Sequence, residues 1–246
     1  MLFRSLFHIP LAITAGPDGN LWFTEYTSDE SRPAKIGRIT TSGVITEFEG
    51  FGTLRQIAAG SDGNLWFTAQ RDIHFPFFEG HHIGRITTSG VLLTPFLLPE
   101  PAFPMAITMG PDGFIWITNG DGIGRITTSG LVTQFRIPSS AGAQFITAGP
   151  DGNLWFTESL GNKIGRINTS GVITEFSTPG ARPQGITAGP DGNLWFVESG
   201  ASKIARFIIG EGTPTLTPLP PSVLLVLAGL VAVGLYHQGR RRIRAR

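Results

Sequence analysis

The chain has 246 residues and no cysteine, and its 33 glycines and 18 prolines make up about a fifth of it. This excludes disulfides, a thiolate metal site and a cysteine nucleophile, and the large apolar residues are too frequent for a disordered chain. The formal charge of +1 hides an acidic body: five arginines lie in the last seven residues, and without them 14 basic residues face 18 acidic ones. Such a body is a poor partner for nucleic acid, which needs a basic face.

Met1 to Pro10 carries one arginine and an apolar run too short for an ordinary export leader. From there on the chain repeats itself. Asp-Gly followed by Trp occurs five times, at Asp18/Trp22, Asp62/Trp66, Asp112/Trp116, Asp151/Trp155 and Asp191/Trp195, at spacings of 44, 50, 39 and 40 residues. Each unit contains four extended pieces, a to d. In the fourth unit, piece a is Ile146-Thr-Ala-Gly149, and Pro150-Asp-Gly-Asn153 makes a tight turn suited to Pro and Gly. Piece b is Leu154-Trp-Phe-Thr157, piece c is Lys163-Ile-Gly-Arg-Ile167, and piece d is Val172-Ile-Thr-Glu-Phe176, which alternates apolar and polar residues. Four antiparallel strands every 40 or so residues describe a β-propeller blade, so the fold class is all-β, with five four-stranded blades in residues 1–212.

The fifth unit ends after Lys203-Ile-Ala-Arg-Phe207, whereas Phe3-Arg-Ser-Leu-Phe-His-Ile-Pro10 at the start resembles the d piece Gln134-Phe-Arg-Ile-Pro138. The expectation is therefore a ring closed by the N-terminal strand, which leaves no free sheet edge at the seam. The alternative is part of a longer propeller that begins before Met1. Antiparallel order puts the a–b and c–d turns on one face and the b–c and d–a loops on the other. The b–c loops vary: Glu25 to Lys35, Gln70 to His82, Asn119 to Gly122, Glu158 to Lys163 and Glu198 to Lys203. Specific work is expected on that variable face.

After Gly212 the composition changes. Residues 213–222 form a Pro-rich linker, 223–239 hold a short hydrophobic helix with an uncharged run from Val223 through Leu230 to Tyr236, and 240–246 form a tail with Arg240, Arg241 and Arg242. As a helix, a 14-residue run is only about 21 Å long, against roughly 30 Å of hydrocarbon, which flanking snorkelling arginines help to bridge. This module is expected to anchor the chain in a membrane, arginines inside and propeller outside. Its order of Pro-rich motif, apolar helix and arginine cluster resembles a bacterial PEP-CTERM sorting signal read by an exosortase-type enzyme, although Pro218-Leu-Pro-Pro-Ser222 lacks the motif's Glu. That resemblance implies the bacterial cell envelope.

Gly185-Ile-Thr-Ala-Gly-Pro-Asp-Gly-Asn-Leu-Trp-Phe196, Lys163-Ile-Gly-Arg-Ile167 and Gly171-Val-Ile-Thr-Glu-Phe176 resemble the repeats of the streptogramin B lyase (virginiamycin B lyase) family, over Phe3 to about Ile209. The resemblance implies a seven-bladed ring in characterised members and Mg²⁺-assisted elimination that opens streptogramin B. A base removes a Cα proton, and a carboxylate-held metal polarises the ester. The family's essential His lies in a Pro-His-Gly-Ile segment leading into piece a. The matching positions here are Leu11, Gln56, Met105, Gln144 and Gln184, and Arg182-Pro-Gln-Gly-Ile186 is the nearest match, with Gln184 where the base belongs. An amide does not take a proton near neutral pH.

Metal candidates by the same resemblance are Glu25, Glu158 and Glu198, which end piece b on the variable face; Ala69 and Asn119 stand there in the other two units. His81 and His82, beside Glu79, are alternative bases, and His74 with Phe77 is a candidate binding lip. Each has a structural reading too: ordinary loop residues for the histidines, paired or solvated carboxylates for the glutamates. The tryptophans are read as packing between blades, and Arg38, Arg85, Arg125, Arg166 and Arg206 as structural pairing. Two functions follow. The first is a tethered propeller that binds a small molecule or peptide on the variable face; the second is a working Mg²⁺-dependent carbon–oxygen lyase.

Overall fold

In the computed structural model, residues 8–27, 33–70 and 80–209 are described. They form five antiparallel sheets and contain no helix. Blade 1 comprises β1 (His8–Ala15), β2 (Leu21–Thr27), β3 (Lys35–Ile39) and β4 (Ile45–Glu49). Blade 2 comprises β5 (Thr53–Ala59), β6 (Leu65–Gln70), β7 (His82–Ile86) and β8 (Leu92–Leu97). Blade 3 comprises β9 (Pro104–Met109), β10 (Ile115–Asn119), β11 (Gly122–Ile126) and β12 (Val132–Arg136). Blade 4 comprises β13 (Ile146–Ala148), β14 (Leu154–Glu158), β15 (Lys163–Ile167) and β16 (Ile173–Ser177). Blade 5 has three strands among the described residues: β17 (Pro183–Ala188), β18 (Leu194–Glu198) and β19 (Lys203–Phe207). The protein is a five-bladed, all-β propeller.

The Gly-Pro-Asp-Gly-Asn turn explains why every blade carries a tryptophan. The Asp carboxylate accepts the indole N–H, at 3.1 Å for Asp18 and Trp22 and 3.0 Å for Asp151 and Trp155, and the following Asn donates back to the same Asp. The indole lies against the first glycine of the turn; a Cβ on Gly149 would sit 2.4 Å from Trp155 Cδ1, so only glycine fits there. Each indole then stacks on the Phe of its own outer strand: Trp22 on Phe48, Trp66 on Phe96, Trp116 on Phe135 and Trp155 on Phe176.

These tryptophans fill the space between blades. Trp22 and Ile36 pack on Ile57, Leu65, Phe67 and Ile86 of blade 2, and the same set recurs between blades 2 and 3, 3 and 4, and 4 and 5. Three further devices fasten each blade to the next. The buried Thr of the second strand donates to a carbonyl of the neighbouring inner strand: Thr24 to Arg55 at 2.8 Å, Thr68 to Met105 at 3.2 Å and Thr118 to Gln144 at 3.1 Å. The repeated arginines lie over the indoles and donate to the next blade's outer turn, Arg38 to Thr88 O, Arg85 to Thr128 O and Arg125 to Thr169 O. Last, the outer Phe of one blade seats against the turn glycine of the next, Phe48 against Gly90, Phe96 against Gly130 and Phe135 against Gly171. Tryptophans and arginines thus have the packing and pairing roles expected of them.

The N-terminal segment differs from expectation. His8, Ile9 and Pro10 pair with Thr27, Tyr26 and Glu25, which makes them the start of β1 rather than an outer strand of blade 5. The register shifts between Pro10 and Ala12, as it does at the inner strands of blades 2, 3 and 5. Phe3 to Phe7, the rest of the expected closing strand, lies outside the described residues.

Candidate functional site

The inner strands and the b–c and d–a loops build the variable face. Backbone conformation is unusual there: the described non-glycine residues with left-handed φ are Ser140, Asn162, Arg182 and Ser202, and all four lie in these loops. Left-handed L-residues cost roughly 1–2 kcal/mol each, so neighbouring contacts must hold them. Asn162 shows how: its side-chain oxygen accepts from the Arg182 N–H at 3.0 Å and its carbonyl from Thr178 N–H at 2.7 Å, which ties a b–c loop to the next d–a loop.

The hydrogen bonds from Thr24, Thr68 and Thr118 define which inner-strand residues are equivalent. They are Arg55, Met105 and Gln144, so the blade 2 counterpart is Arg55 and not Gln56. Gln56 sits one residue later, and its Oε1 accepts the Ile107 N–H of blade 3 at 3.2 Å. Arg55 donates through Nε to Gln70, whose amide in turn donates to Pro104 O at 3.0 Å and to the Met105 sulfur. Gln144 accepts from Ser159 Oγ at 2.9 Å. Gln184 is half-buried at the bulge between Pro183 and Ile186. Leu11 is exposed on β1. Sequence reading passed over Arg55, Gln70 and Ser159; the polar residue just beyond strand b was the available signal.

Glu25, Glu158 and Glu198 are buried, each at the end of its strand b. Glu25 and Glu158 head matching rows: Glu25 pairs in register with Lys35, which reaches Glu47, and Glu158 pairs with Lys163, which reaches Glu175 at 3.3 Å. Burial pushes the Glu25 carboxyl up to about 7, with Glu47 adding to the rise and Lys35 opposing it. Burial likewise pushes Glu158 up to about 7, against a hydrogen bond from Ser139. Burial also works against ionisation at Glu175, but hydrogen bonds from Ser139 and Lys163 outweigh it and hold this carboxyl below its ordinary value. The inner Glu of each row therefore keeps its proton up to near neutral pH.

The three inner carboxylates stand on three different blades, and among the described residues no three His, Asp or Glu side chains gather as metal ligands. Each of the two rows also supplies its own ammonium. This donor set does not fit a shared Mg²⁺ centre.

Blade 3 breaks the row. Asn119, Gly122 and Gln134 occupy the register positions that Glu158, Lys163 and Glu175 hold in blade 4. With the lysine side chain gone, a cleft of about 500 Å³ opens, lined by Phe103, Asn119, Asp121, Gln134, Phe135 and Arg136. Asn119 accepts the Phe103 N–H at 2.6 Å while its buried Nδ2 has no partner.

None of the described histidines occupies the positions equivalent to Arg55, Met105 and Gln144. His82 is on β7, paired with Ala69 and Leu97 and packed edge-on to Phe51, and burial lowers its pKa. His81 packs edge-on to Phe103 beside the cleft. His8 contacts Pro33 O at 3.2 Å. His74, Phe77 and Glu79 lie outside the described residues, as do Val223, Leu230, Tyr236, Arg240, Arg241 and Arg242. No helix among the described residues is long and apolar enough to cross a membrane.

Comparison with known proteins adds three findings to this geometry. Residues 69–223 match the model of the virginiamycin B lyase family. The chain belongs to that family. A streptogramin B lyase structure is 34% identical over 86% of this chain and 69% of its own, with a TM-score of 0.73. A catalytically inactive histidine-to-alanine virginiamycin B lyase from Staphylococcus aureus with quinupristin is 36% identical over 89% and 73%, with a TM-score of 0.76. The selenomethionine form of the same Staphylococcus aureus lyase is 37% identical over 86% and 70%, with a TM-score of 0.72. No curated protein matches the chain.

Proposed function

We propose that this member of the virginiamycin B lyase family is a ligand-binding propeller that holds a peptide-like macrocycle on its variable face without opening it. The observation that carries this is the composition of the inner ring: Leu11, Arg55, Met105, Gln144 and Gln184 occupy the equivalent positions, and none is a base near neutral pH. Gln144 is moreover committed to Ser159. The relative with quinupristin supports a separation of binding from catalysis, since that variant is catalytically inactive and still carries the ligand. Apolar Phe103 and Phe135, with Asn119, Gln134 and Arg136 as donors to carbonyls, supply the kind of mixed wall that such a ligand needs.

The second reading is a Mg²⁺-dependent carbon–oxygen lyase, favoured by membership of the family at 34–37% identity to the structures above. It needs a base from elsewhere and a metal centre that the described carboxylates do not form. We further propose that the propeller lies outside the cytoplasm in the bacterial cell envelope, held at the membrane by residues 223–239 and open to an exosortase-type processing enzyme. That part rests on the sequence of 213–246 alone.

Calorimetric titration of the full chain with quinupristin tests the binding. Saturable one-site binding is expected, and Phe103→Ala or Arg136→Ala should weaken it about ten-fold, or about 1.4 kcal/mol. No heat with folded protein, or unchanged affinity in both variants, contradicts it.

A further inference from the structure

Blade 2 carries a cation at the inner ring, where the equivalent positions of the other blades hold Leu11, Met105, Gln144 and Gln184. Arg55 is fixed by both its backbone and its side chain. Its carbonyl accepts from Thr24 of blade 1 at 2.8 Å, and the N–H of the next residue, Gln56, donates to Thr68 at 3.0 Å. Its Nε donates to Gln70 Oε1 at 3.1 Å.

Gln70 is itself held. It is 5% exposed, and its amide nitrogen bonds twice to blade 3, to Pro104 O at 3.0 Å and to the Met105 sulfur at 3.3 Å. Turned over, the amide would set its oxygen against the Pro104 carbonyl, so Oε1 stays directed at Arg55. The same device recurs in blade 4. Ser159, like Gln70, stands four residues past the tryptophan, and it holds Gln144 at 2.9 Å. The side chain held in blade 4 is neutral; the one held in blade 2 is charged.

With Nε committed, the guanidinium keeps its outer edge. Nη1 and Nη2 have no partner among the described residues and are not enclosed by them. No carboxylate pairs with Arg55 among those residues, whereas Lys35, Lys163, Arg85, Arg125 and Arg206 each have one. A half-buried cation without a counter-charge gains from an anion that a ligand brings. The free edge is the planar fork that meets a carboxylate through two parallel N–H···O bonds. One negative charge suits this place better than two, because the adjoining Gln56, Gln70 and Met105 are neutral and the body is acidic.

We propose that Arg55, oriented by Gln70, is the specificity-determining residue of the variable face and selects peptide-like ligands that carry a free carboxylate. This rests on the reading of that face as a ligand site and adds the chemical class of the ligand. Gln70 acts through Arg55 and is a positioning residue.

Alkaline hydrolysis of the ester in quinupristin gives a linear acid with one new carboxylate, and the methyl ester of that acid is the same molecule without the charge. In calorimetric titration of the full chain, the acid should bind about ten-fold tighter than the methyl ester. Arg55→Met should bring the acid-to-ester ratio close to one. Arg55→Lys keeps the charge but not the fork, and Gln70→Leu keeps the fork but not its orientation, so both should give intermediate ratios. Far-UV circular dichroism checks the fold, and a ratio taken within one variant does not depend on how much of it is active. Acetate should compete with the acid better than inorganic phosphate does at equal ionic strength.

Equal affinity for acid and ester, no binding of the acid, or a ratio that Arg55→Met leaves unchanged overturns the proposal. Stronger competition by phosphate overturns the carboxylate assignment. Intact quinupristin separates this inference from the reading beneath it. Binding of the ring with no preference for the acid removes the carboxylate anchor alone, and binding of the acid without the ring removes the macrocycle reading alone.

Discussion

Asp151 accepts the indole N–H of Trp155 at 3.0 Å, and the same carboxylate orders the turn through Asn153. The indole is fully buried between blades 4 and 5, so removing its acceptor strands a buried donor. Asp151→Ala should cost about 1–3 kcal/mol in urea unfolding. Asp191→Ala makes the same change beneath the half-buried Trp195, where water replaces the lost partner, and should cost distinctly less. Equal losses would contradict the burial difference between the two indoles.

Glu25 and Glu158 give stability a pH dependence of known sign. Both carboxyls sit at about 7 when folded, above the ordinary 4.5, so between those values the folded protein holds protons that the unfolded chain has released. Stability from these groups is complete below about pH 4.5 and is lost as pH rises through about 7. Glu25→Gln should therefore raise stability at pH 8 by about 1–3 kcal/mol and change little at pH 4. A gain of the same size at both pH values would show that the effect is not ionisation.

Thr68 and Thr118 are buried and bridge adjacent blades through their hydroxyls. Thr118→Val keeps the shape and strands both the Gln144 carbonyl and the Ala106 N–H, which also bonds this hydroxyl at 2.9 Å. A loss of about 1–3 kcal/mol is expected from thermal or urea unfolding. The reverse change at the exposed end, Val197→Thr, should be nearly neutral in the monomer.

Gly43 and Gly90 separate backbone strain from blade packing. Both have left-handed φ, at 86° and 90°. Alanine at either costs roughly 1–2 kcal/mol of strain. At Gly90 the new Cβ also lands 2.0 Å from Phe48 Cε1, while at Gly43 it meets nothing within 4 Å. Gly90→Ala should thus exceed Gly43→Ala by about 1–3 kcal/mol, and equal effects would mean that the blade 1 flank is covered.

Much of this was legible in the sequence because the repeat encodes its own turns. Asp-Gly with Trp four residues after the Asp located each inner hairpin, and Ile-Gly-Arg-Ile, or Ile204-Ala-Arg-Phe207 in the fifth unit, located each third strand. Trp and Arg packing and the varied loop face follow from those same residues, whereas the Asp–Trp bond shows only in the structure. The equivalence of Arg55 to Met105 follows from counting back to the repeated Ile-x-x-Gly, at Ile57 and Ile107, and the Thr24 and Thr68 hydrogen bonds agree with it. What stayed hidden depends on neighbours in space. His8 to Pro10 read as an outer strand by composition, yet pairing with β2 decides their place. The blade 3 cleft arises from the missing side chain at Gly122, which no local pattern flags as a site.

The central claim is that this propeller binds a family-type macrocycle and leaves it intact. Tandem mass spectrometry of quinupristin after incubation with the folded full-length chain and excess Mg²⁺ tests it most directly. Elimination opens the ester-closed ring without adding water, so a linear product has unchanged mass and a different fragmentation pattern. The expected result is the fragmentation of the intact ring at every time point, with or without EDTA. A linear product that accumulates with enzyme concentration and disappears with EDTA would contradict the claim, and would mean that a base and a metal centre exist beyond Leu11, Arg55, Met105, Gln144 and Gln184.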